Sequence, residues 1–426
     1  MKKYALMSLV ALCAIVLASC PSPMGGGRGG GSGVPTGSAQ LPADQVSDQM
    51  RLLSGDFTFE TLFPVALDLT IDLYAVDEAG MLVEPPFAPG DRSVVVTLTT
   101  ANDHPVYRGM AAADGTLRAA VYLPSAPADM FLTVTAEGFE SRRIRVPRMV
   151  ELERVQRRLG LKQATGAIGA AAFAPGLPDR DGDGVPDVYD AFPDDPNSAF
   201  VLNVPADGNL TIAFEDLFGR ANAGDADYND FIANYRIQEI SNADGHITSL
   251  RVDATAVVKL AGYNHRFGIR IDDFEGSASL VRHYVDESGA TRSQGPTSVT
   301  APVEVELFEH SGRAVGKSAW FTLEFATAQD RADSPAPLSE PPYNPWIFVR
   351  NTEQGIHLID REPLTERYPS SNPNERFVDS DGFPWALLVP EEWVHPAEGQ
   401  RIDAPQWYPR FTNWRESGGT AFTDWY

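Results

Sequence analysis

The chain has 426 residues, of which 43% are hydrophobic and 22% charged, an ordinary globular composition that excludes a disordered or collagen-like protein. The length fits two or three domains. The 58 acidic and 34 basic residues give a formal net charge of −24. This charge argues against nucleic acid as a partner, because phosphates would be repelled. A single long apolar run excludes a polytopic membrane protein, and two cysteines cannot staple a scaffold.

The first twenty residues have the pattern of an export signal. Two lysines precede an apolar run, Ala5–Val16, that is too short to span a bilayer comfortably. The run ends in Leu-Ala-Ser-Cys, which resembles the bacterial lipobox and implies lipidation of Cys20. We therefore expect a lipoprotein signal peptide over residues 1–19 and a lipid-anchored protein of the bacterial cell envelope. Since Pro21 is not Asp, the outer membrane or cell surface is favoured over the inner membrane; an ordinary secretory signal is the alternative.

Two linkers flank a predicted N-terminal domain. Residues 20–45 are rich in Gly, Ser and Pro and are predicted to form a flexible linker. Residues 50–150 contain short β-rich runs separated by turn signals, which predict a small β-sandwich. The run Val106–Pro124 resembles prealbumin-like modules, and any other small sandwich is the alternative. Residues 151–177, first basic and then rich in Ala and Gly, are predicted to be a second linker.

Residues 178–198 contain the most specific motif, D-x-D-x-D-G-x-x-D-x-x-D. Calcium takes six to eight oxygen ligands, and carboxylates at alternate positions converge when the chain coils tightly. Gly184 permits the sharp turn that this coiling needs. The predicted calcium ligands are the side chains of Asp179, Asp181, Asp183, Asp187 and Asp190 and the backbone carbonyl of Val185. A metal-free acidic turn is the alternative.

The calcium loop does not have the flanking helices of an EF-hand. Ala- and Gly-rich sequence precedes it, and Pro186 and Pro193 disfavour a regular helix after it. The tail Ala-Phe-Pro-Asp-Asp-Pro resembles thrombospondin type 3 repeats, which coil around calcium with little regular structure. We expect a structural metal that stiffens a joint having little hydrophobic core of its own.

A second acidic cluster follows a Phe-Glu-Asp-Leu segment. Its candidate metal ligands are Asp225, Asp227, Asn229 and Asp230. The first three share the spacing of the calcium loop, but no glycine follows them at the sixth position. A turn that caps the next strand is the alternative.

Several motifs in fixed order resemble the LruC-domain lipoprotein family. After the calcium loop come F-P-x-D-P, E-D-L, D-x-D-Y-N-D-F and N-Y-R, followed by Asn-Pro-Trp-Ile-Phe-Val, Pro-Trp-Ala and a C-terminal Asp-Trp-Tyr. The resemblance runs from Asp179 to Tyr426. It implies an exported, often lipid-anchored surface or periplasmic protein, and it implies no established activity.

Residues 199–426 are predicted to form this LruC-type domain, a larger β-sandwich-like domain with a few short helices. Six of the seven tryptophans lie between residues 346 and 425. We expect them in the core, and a platform that stacks sugar rings is the alternative. No G-x-S-x-G, H-E-x-x-H or P-loop motif is present. His357, between apolar residues, is interpreted as a strand histidine with its hydrogen bonds satisfied.

The complete prediction is a mainly β protein in which a calcium-binding loop joins a small sandwich to the larger domain. We expect a non-enzymatic envelope or surface protein, with calcium as its cofactor, that contacts a protein or glycan partner. A calcium-dependent carbohydrate-binding module or adhesin is one alternative. A hydrolase with carboxylates drawn from distant residues is the other.

Overall fold

The chain is built mainly from β-strands. The computed structural model describes residues 40–51, 57–165, 177–217, 225–260, 262–331, 334, 336–363, 377–379 and 381–426. Strands hold 45% of the described residues and helices 4%, which confirms the mainly β prediction. The predicted signal peptide over 1–19, Cys20, residues 20–39 of the first linker and residues 166–176 of the second lie outside the described residues.

Two sheets pack face to face in the N-terminal lobe, residues 40–165. One consists of β1 (Gln45–Val46), β2 (Gln49–Met50), β3 (Leu62–Tyr74), β6 (Thr116–Pro124) and β9 (Leu152–Lys162). The other consists of β4 (Val94–Thr99), β5 (Pro105–Met110), β7 (Met130–Ala136) and β8 (Arg142–Val146). The strand orders are β1-β9-β3-β6, with β2 also on β9, and β5-β4-β7-β8. Buried side chains from both sheets form one hydrophobic core, as a sandwich requires.

The alternation in β3 positions this core. Leu67, Leu69, Ile71 and Leu73 are each at most 1% exposed, whereas Asp68, Thr70 and Asp72 between them are half-buried on the other face. Successive side chains of a strand point to opposite faces, so the apolar residues at every second position all enter the sandwich. In the sequence this alternation of apolar and polar residues predicts a half-buried strand, and the structure confirms that prediction.

The N-terminal lobe extends beyond the predicted boundary at residue 150. The sequence predicts a linker over 151–177, but residues 152–162 form β9, which pairs with β3 in parallel. Val155, Leu159 and Leu161 are buried in the core, which gives the strand its place in the sheet. The intervening arginines pair with nearby carboxylates; one example joins Arg157 to Asp48, between β1 and β2, at 2.6 Å.

A 12-stranded sheet dominates the C-terminal lobe, residues 199–426. Its strands are β10 (Phe200–Val204), β11 (Leu210–Phe214), β12 (Phe231–Ser241), β13 (Ile247–Val258), β14 (His265–Ile271), β15 (Ala278–Val285), β16 (Thr291–Val299), β17 (Val303–Phe308), β18 (Ser318–Gln329), β19 (Asn344–Val349), β20 (Gln354–His357) and β21 (Ala386–Val389). The order is β20-β19-β14-β17-β15-β18-β13-β12-β11-β21, with β10 also on β12 and β16 also on β15.

Few helices interrupt the strands. A 3-10 turn spans Met149–Glu151, and the short helices are α1 (Ser311–Ala314) and α2 (Phe411–Glu416). The tight hairpin between β12 and β13 contains Gly245 with φ of 83°, a conformation that glycine adopts without strain. In the sequence, Asp244-Gly245 between two β-rich runs predicts a hairpin turn, and the structure has the turn at this pair.

The two lobes share an aromatic interface. Trp414 of α2 packs edge-on against Phe57 and Phe59, with ring centroids 4.9 and 5.6 Å away. Ser125 of the N-terminal lobe donates a hydrogen bond to the carbonyl of Thr423 at 2.7 Å. The C-terminal segment thus closes one side of the larger core and fastens it to the sandwich.

Candidate metal centre

The predicted calcium loop, residues 178–198, lies between the two lobes. Val185 is fully buried and packs in a small core with Ala199 and Phe200, which Met110 of β5 also contacts. Ser93 donates a hydrogen bond to the carbonyl of Gly184 at 3.1 Å. The loop is therefore packed against the sandwich on one side and leads into the first strand of the large sheet on the other.

Asp179 makes the loop coil. One of its carboxylate oxygens, Oδ1, accepts the N–H of Gly182 at 2.8 Å, and Oδ2 accepts the N–H of Gly184 at 3.0 Å. Both glycines have positive φ, 79° and 95°, where a side chain would be strained. Asp183 continues the coil, since its Oδ1 accepts the N–H of Val185 at 2.7 Å. The glycine positions in the motif are thus explained by backbone geometry.

The coil brings carboxylates together. Asp179, Asp181 and Asp183 each contribute an oxygen, and these oxygens lie within 4.8 Å of one another. Asp190 stands close enough that its charge interacts with all three. One oxygen each of Asp181, Asp183 and Asp190, Oδ2 in every case, is enclosed and has no hydrogen-bond partner. Four predicted ligands therefore converge on the same place.

Burial raises the pKa of both Asp183 and Asp190, and the negative charges of Asp179 and Asp181 raise these pKa values further. The cause is that enclosed like charges disfavour ionisation. A cation at this point would remove that repulsion. The donor set consists of carboxylate oxygens without imidazole or thiolate, which fits a hard cation such as calcium better than zinc.

Asp187 is turned elsewhere. Its Oδ1 accepts the backbone N–H of Arg180 at 2.9 Å, and its Oδ2 lies 3.5 Å from the Arg180 guanidinium. Within the described part of the chain, the carbonyl of Val185 accepts no hydrogen bond and stays available. The predictions that Asp187 and Val185 are ligands remain predictions, with Asp187 the ligand that the geometry favours least.

The second acidic cluster includes a residue outside the D-x-D-x-N spacing of its sequence motif. Glu215, directly after β11, joins Asp225 and Asp227, and one oxygen from each lies within 4.8 Å of the others. Asp230 instead accepts the N–H of Asp216 at 2.7 Å through its Oδ2. Asn229 is fully buried. The Phe-Glu-Asp-Leu segment just before the cluster was the only local signal for Glu215.

Ionisation is strongly disfavoured in this second cluster. Burial raises the pKa of Glu215 well above its ordinary value, and the negative charge of Asp230 adds to the rise. Burial likewise raises the pKa of Asp227 to about 6 and that of Asp230 to about 8. Buried carboxylates without a compensating charge are costly to a fold. The arrangement therefore needs either protons or a cation.

The fold and these clusters define a class: a mainly β protein with two groups of converging carboxylates. Residues 245–426 match a family described as "Domain of unknown function (DUF4842)". The match covers β13 to β21 and neither carboxylate cluster. The resemblances to LruC-domain lipoproteins and to thrombospondin type 3 repeats stay predictions.

The remaining comparisons say less about the chain than this family match does. Among solved structures, the chain is similar to one described as a "Putative lipoprotein from Bacteroides ovatus", with 14% identity and a TM-score of 0.36. That similarity covers 82% of this chain and 95% of the other. A comparison with curated proteins gives no match. Within the described residues, no helix has the length and apolar character needed to cross a membrane.

Proposed function

We propose that the chain is an exported, lipid-anchored envelope protein that is stabilised by calcium, has no enzymatic activity and contacts a protein or glycan partner. One observation carries the calcium part of this proposal. Three aspartates of the loop each have one carboxylate oxygen that is enclosed and has no hydrogen-bond partner. They are Asp181, Asp183 and Asp190. An enclosed, unpaired charged oxygen destabilises the folded state, and a bound cation offsets that cost.

Calcium is the cation that this donor set fits best. It accepts six to eight oxygens in flexible geometry, including backbone carbonyls and waters. Asp179, Asp181, Asp183 and Asp190 would supply side-chain oxygens, and Val185 its carbonyl. Magnesium demands a stricter octahedron and keeps several waters, which a crowded group of four carboxylates disfavours.

The role of the metal is structural. The loop lies where the sandwich meets the large sheet, and its own core consists of Val185, Ala199 and Phe200. A core this small contributes little to stability, because hydrophobic stabilisation scales with the apolar area buried. Calcium would hold the loop rigid and so hold the two lobes in one arrangement.

The envelope location is supported by the sequence before the folded lobes. The lipobox-like Leu-Ala-Ser-Cys places Cys20 at the start of a mature chain, and the glycine-rich linker after it would hold the lobes away from a membrane. Such an anchored, non-enzymatic protein acts by contact with a partner.

Tryptophan burial bears on the choice of partner. None of the seven tryptophans is exposed; Trp346, Trp385 and Trp414 are each 1% exposed and Trp425 is 3% exposed. This burial favours a core role for these four tryptophans, whereas the other three are half-buried and keep a carbohydrate-binding module as the alternative. A partner would be recognised through polar and charged surface, in keeping with the acidic composition.

The test is a calorimetric calcium titration of the full chain beside an Asp181→Asn, Asp183→Asn double variant, with thermal melts of each in calcium and in chelator. Calcium at a hundred times its Kd should stabilise the unmutated protein by about 2.7 kcal/mol through this site. The double variant should bind one ion fewer and lose that stabilisation. In chelator it should melt no lower than the unmutated protein, because like-charge repulsion is relieved.

Asp244→Asn is the matched control, since it makes the same chemical change on the exposed hairpin turn. It should bind and melt like the unmutated protein. The calcium proposal fails if the double variant binds as many ions, with the same melting shift, as this control. The anchor is tested separately: Cys20→Ala should move the protein from the membrane fraction to the soluble one, and unchanged membrane association would refute lipidation.

A further inference from the structure

A second group of carboxylates lies in the C-terminal lobe, apart from the calcium loop. Glu215, Asp225 and Asp227 bring one oxygen each within 4.8 Å of the others. Glu215 and Asp227 are both 1% exposed. The neighbouring groups whose charges act on them are carboxylates: Asp230, Asp227 and Asp225 act on Glu215, and Asp225 and Glu398 act on Asp227. Carboxyl groups are thus concentrated where water is largely excluded.

Asn229 supplies an independent observation at the same place. It is fully buried, and its backbone N–H donates to Asp227 Oδ1 at 3.2 Å, so the residue lies directly against the cluster. The side-chain nitrogen donates to the carbonyl of Pro396 at 3.2 Å. The side-chain oxygen, Oδ1, is enclosed and has no hydrogen-bond partner. A buried amide oxygen left unpaired, in a residue whose backbone contacts the cluster, is the type of ligand that calcium takes.

A capping turn accounts for only part of this arrangement. Asp227 does cap backbone, accepting N–H groups from Asn229 and from Gly399, the latter at 2.8 Å. Asp230 does so as well, for Asp216. Within the described residues, however, Asp225 accepts no hydrogen bond, and capping leaves the Asn229 oxygen unexplained.

We propose that Glu215, Asp225, Asp227 and Asn229 bind a second calcium ion. Three carboxylates and an amide oxygen form a hard, all-oxygen donor set, and waters complete the six to eight ligands. The ion compensates the buried negative charge and satisfies the amide oxygen in one step. This site uses none of the residues of the calcium loop, so a result for or against that loop does not decide whether the second site exists.

The second ion would fasten the C-terminal segment to the large sheet. Gly399 donates to Asp227, and Ile402 donates its N–H to the carbonyl of Ala226 at 2.9 Å. Pro396 accepts from Asn229. The segment 396–402 therefore lies along the metal-binding residues, and metal binding should protect it from proteolysis and hydrogen exchange.

The experiment is a calorimetric titration of the full chain with calcium alone. The unmutated protein should bind two ions, and the Asp181→Asn, Asp183→Asn variant should bind one. Adding Asp225→Asn to that variant should remove the remaining ion or weaken its binding roughly tenfold or more, since ligand charge sets affinity in such sites. Asp225 is the best probe because its side chain makes no hydrogen bond in the described structure that the change would break.

Controls separate binding from folding. Asp225→Asn should melt at the same or a higher temperature than the unmutated protein in chelator, and at a lower temperature in calcium; a purely structural carboxylate would not reverse its effect. Glu215→Gln is a second probe, because its amide oxygen still accepts the N–H of Tyr228. Asp244→Asn should change nothing.

The proposal is overturned if Asp225→Asn and Glu215→Gln both keep the affinity and stoichiometry of the unmutated protein. It is also overturned if magnesium at equal concentration displaces the ion, because the site would then not select calcium. If only the Asp225→Asn variant loses an ion, the second site is supported and the calcium loop is not. If only the Asp181→Asn, Asp183→Asn variant loses an ion, the calcium loop is supported and the second site is not.

Discussion

A buried ion pair gives the sharpest stability prediction. Glu239 on β12 is 2% exposed, and the guanidinium of Arg331 donates to both of its oxygens, at 2.6 and 2.7 Å. Tyr343 donates its hydroxyl to the same carboxylate at 2.7 Å. The perturbation is Arg331→Met, which keeps apolar bulk and removes the charge.

The size of the stability loss depends on the surroundings in which Glu239 is left. Without Arg331, the carboxylate of Glu239 stays buried with a single neutral donor, Tyr343. Removing one partner of a buried pair costs about 3–5 kcal/mol, far more than the 0–1 kcal/mol of an exposed pair. Arg331 also donates to the carbonyl of Ser339 at 2.8 Å, so the loss should lie in the upper half of that range.

Urea unfolding of the full chain, with calcium held constant, measures this loss. Adding Glu239→Gln to Arg331→Met should recover most of it, because no buried charge remains. A loss below about 1 kcal/mol, or no recovery in the double variant, would refute the reasoning.

Two further outcomes are expected. Burial lowers the pKa of the His357 imidazole from 6.5 to about 3. The contribution of the buried, neutral His357 to stability is therefore complete above about pH 6.5, the pKa in the unfolded chain, and is lost as the pH falls below that value. Between pH 7 and pH 5 the free energy of unfolding measured in urea should therefore fall by about 2 kcal/mol more for the unmutated protein than for His357→Gln. Equal decreases would contradict the lowered pKa of His357. Trp414→Ala should lower the free energy of unfolding by about 3–5 kcal/mol, because it leaves a cavity at the interface between the lobes. Half-buried Trp407→Ala should cost less, and equal costs would contradict a core role for Trp414.

The core role of the C-terminal tryptophans illustrates what composition predicts and what it leaves open. Their number and clustering favoured a core over a sugar platform, and Trp414 and Trp425 are indeed buried. Their partners were not predictable, because Phe57 and Phe59 lie more than three hundred positions earlier in the chain. Packing between distant segments has no local sequence signature.

Strand β9 shows the limit of periodicity. Its apolar residues, Leu152, Val155, Leu159 and Leu161, do not recur strictly at every second position, and arginines fill the gaps. The sequence therefore predicts a basic linker. The residues become a central strand only because β3 and the acidic side chains beside it provide hydrogen-bond and charge partners. Parallel pairing of this kind depends on a long crossover that no short window contains.

The sequence by itself determined the features that depend on local backbone and spacing. These are the mainly β class, the alternation in β3, the Asp-Gly hairpin, and the coil that brings Asp179, Asp181 and Asp183 together. The tertiary structure alone decided that Glu215 joins Asp225 and Asp227, that Phe57 and Phe59 meet Trp414, and that the predicted calcium loop lies between two lobes. The physical reason is that local hydrogen bonds and steric preferences act within a few residues, whereas burial and charge compensation depend on which distant segments meet.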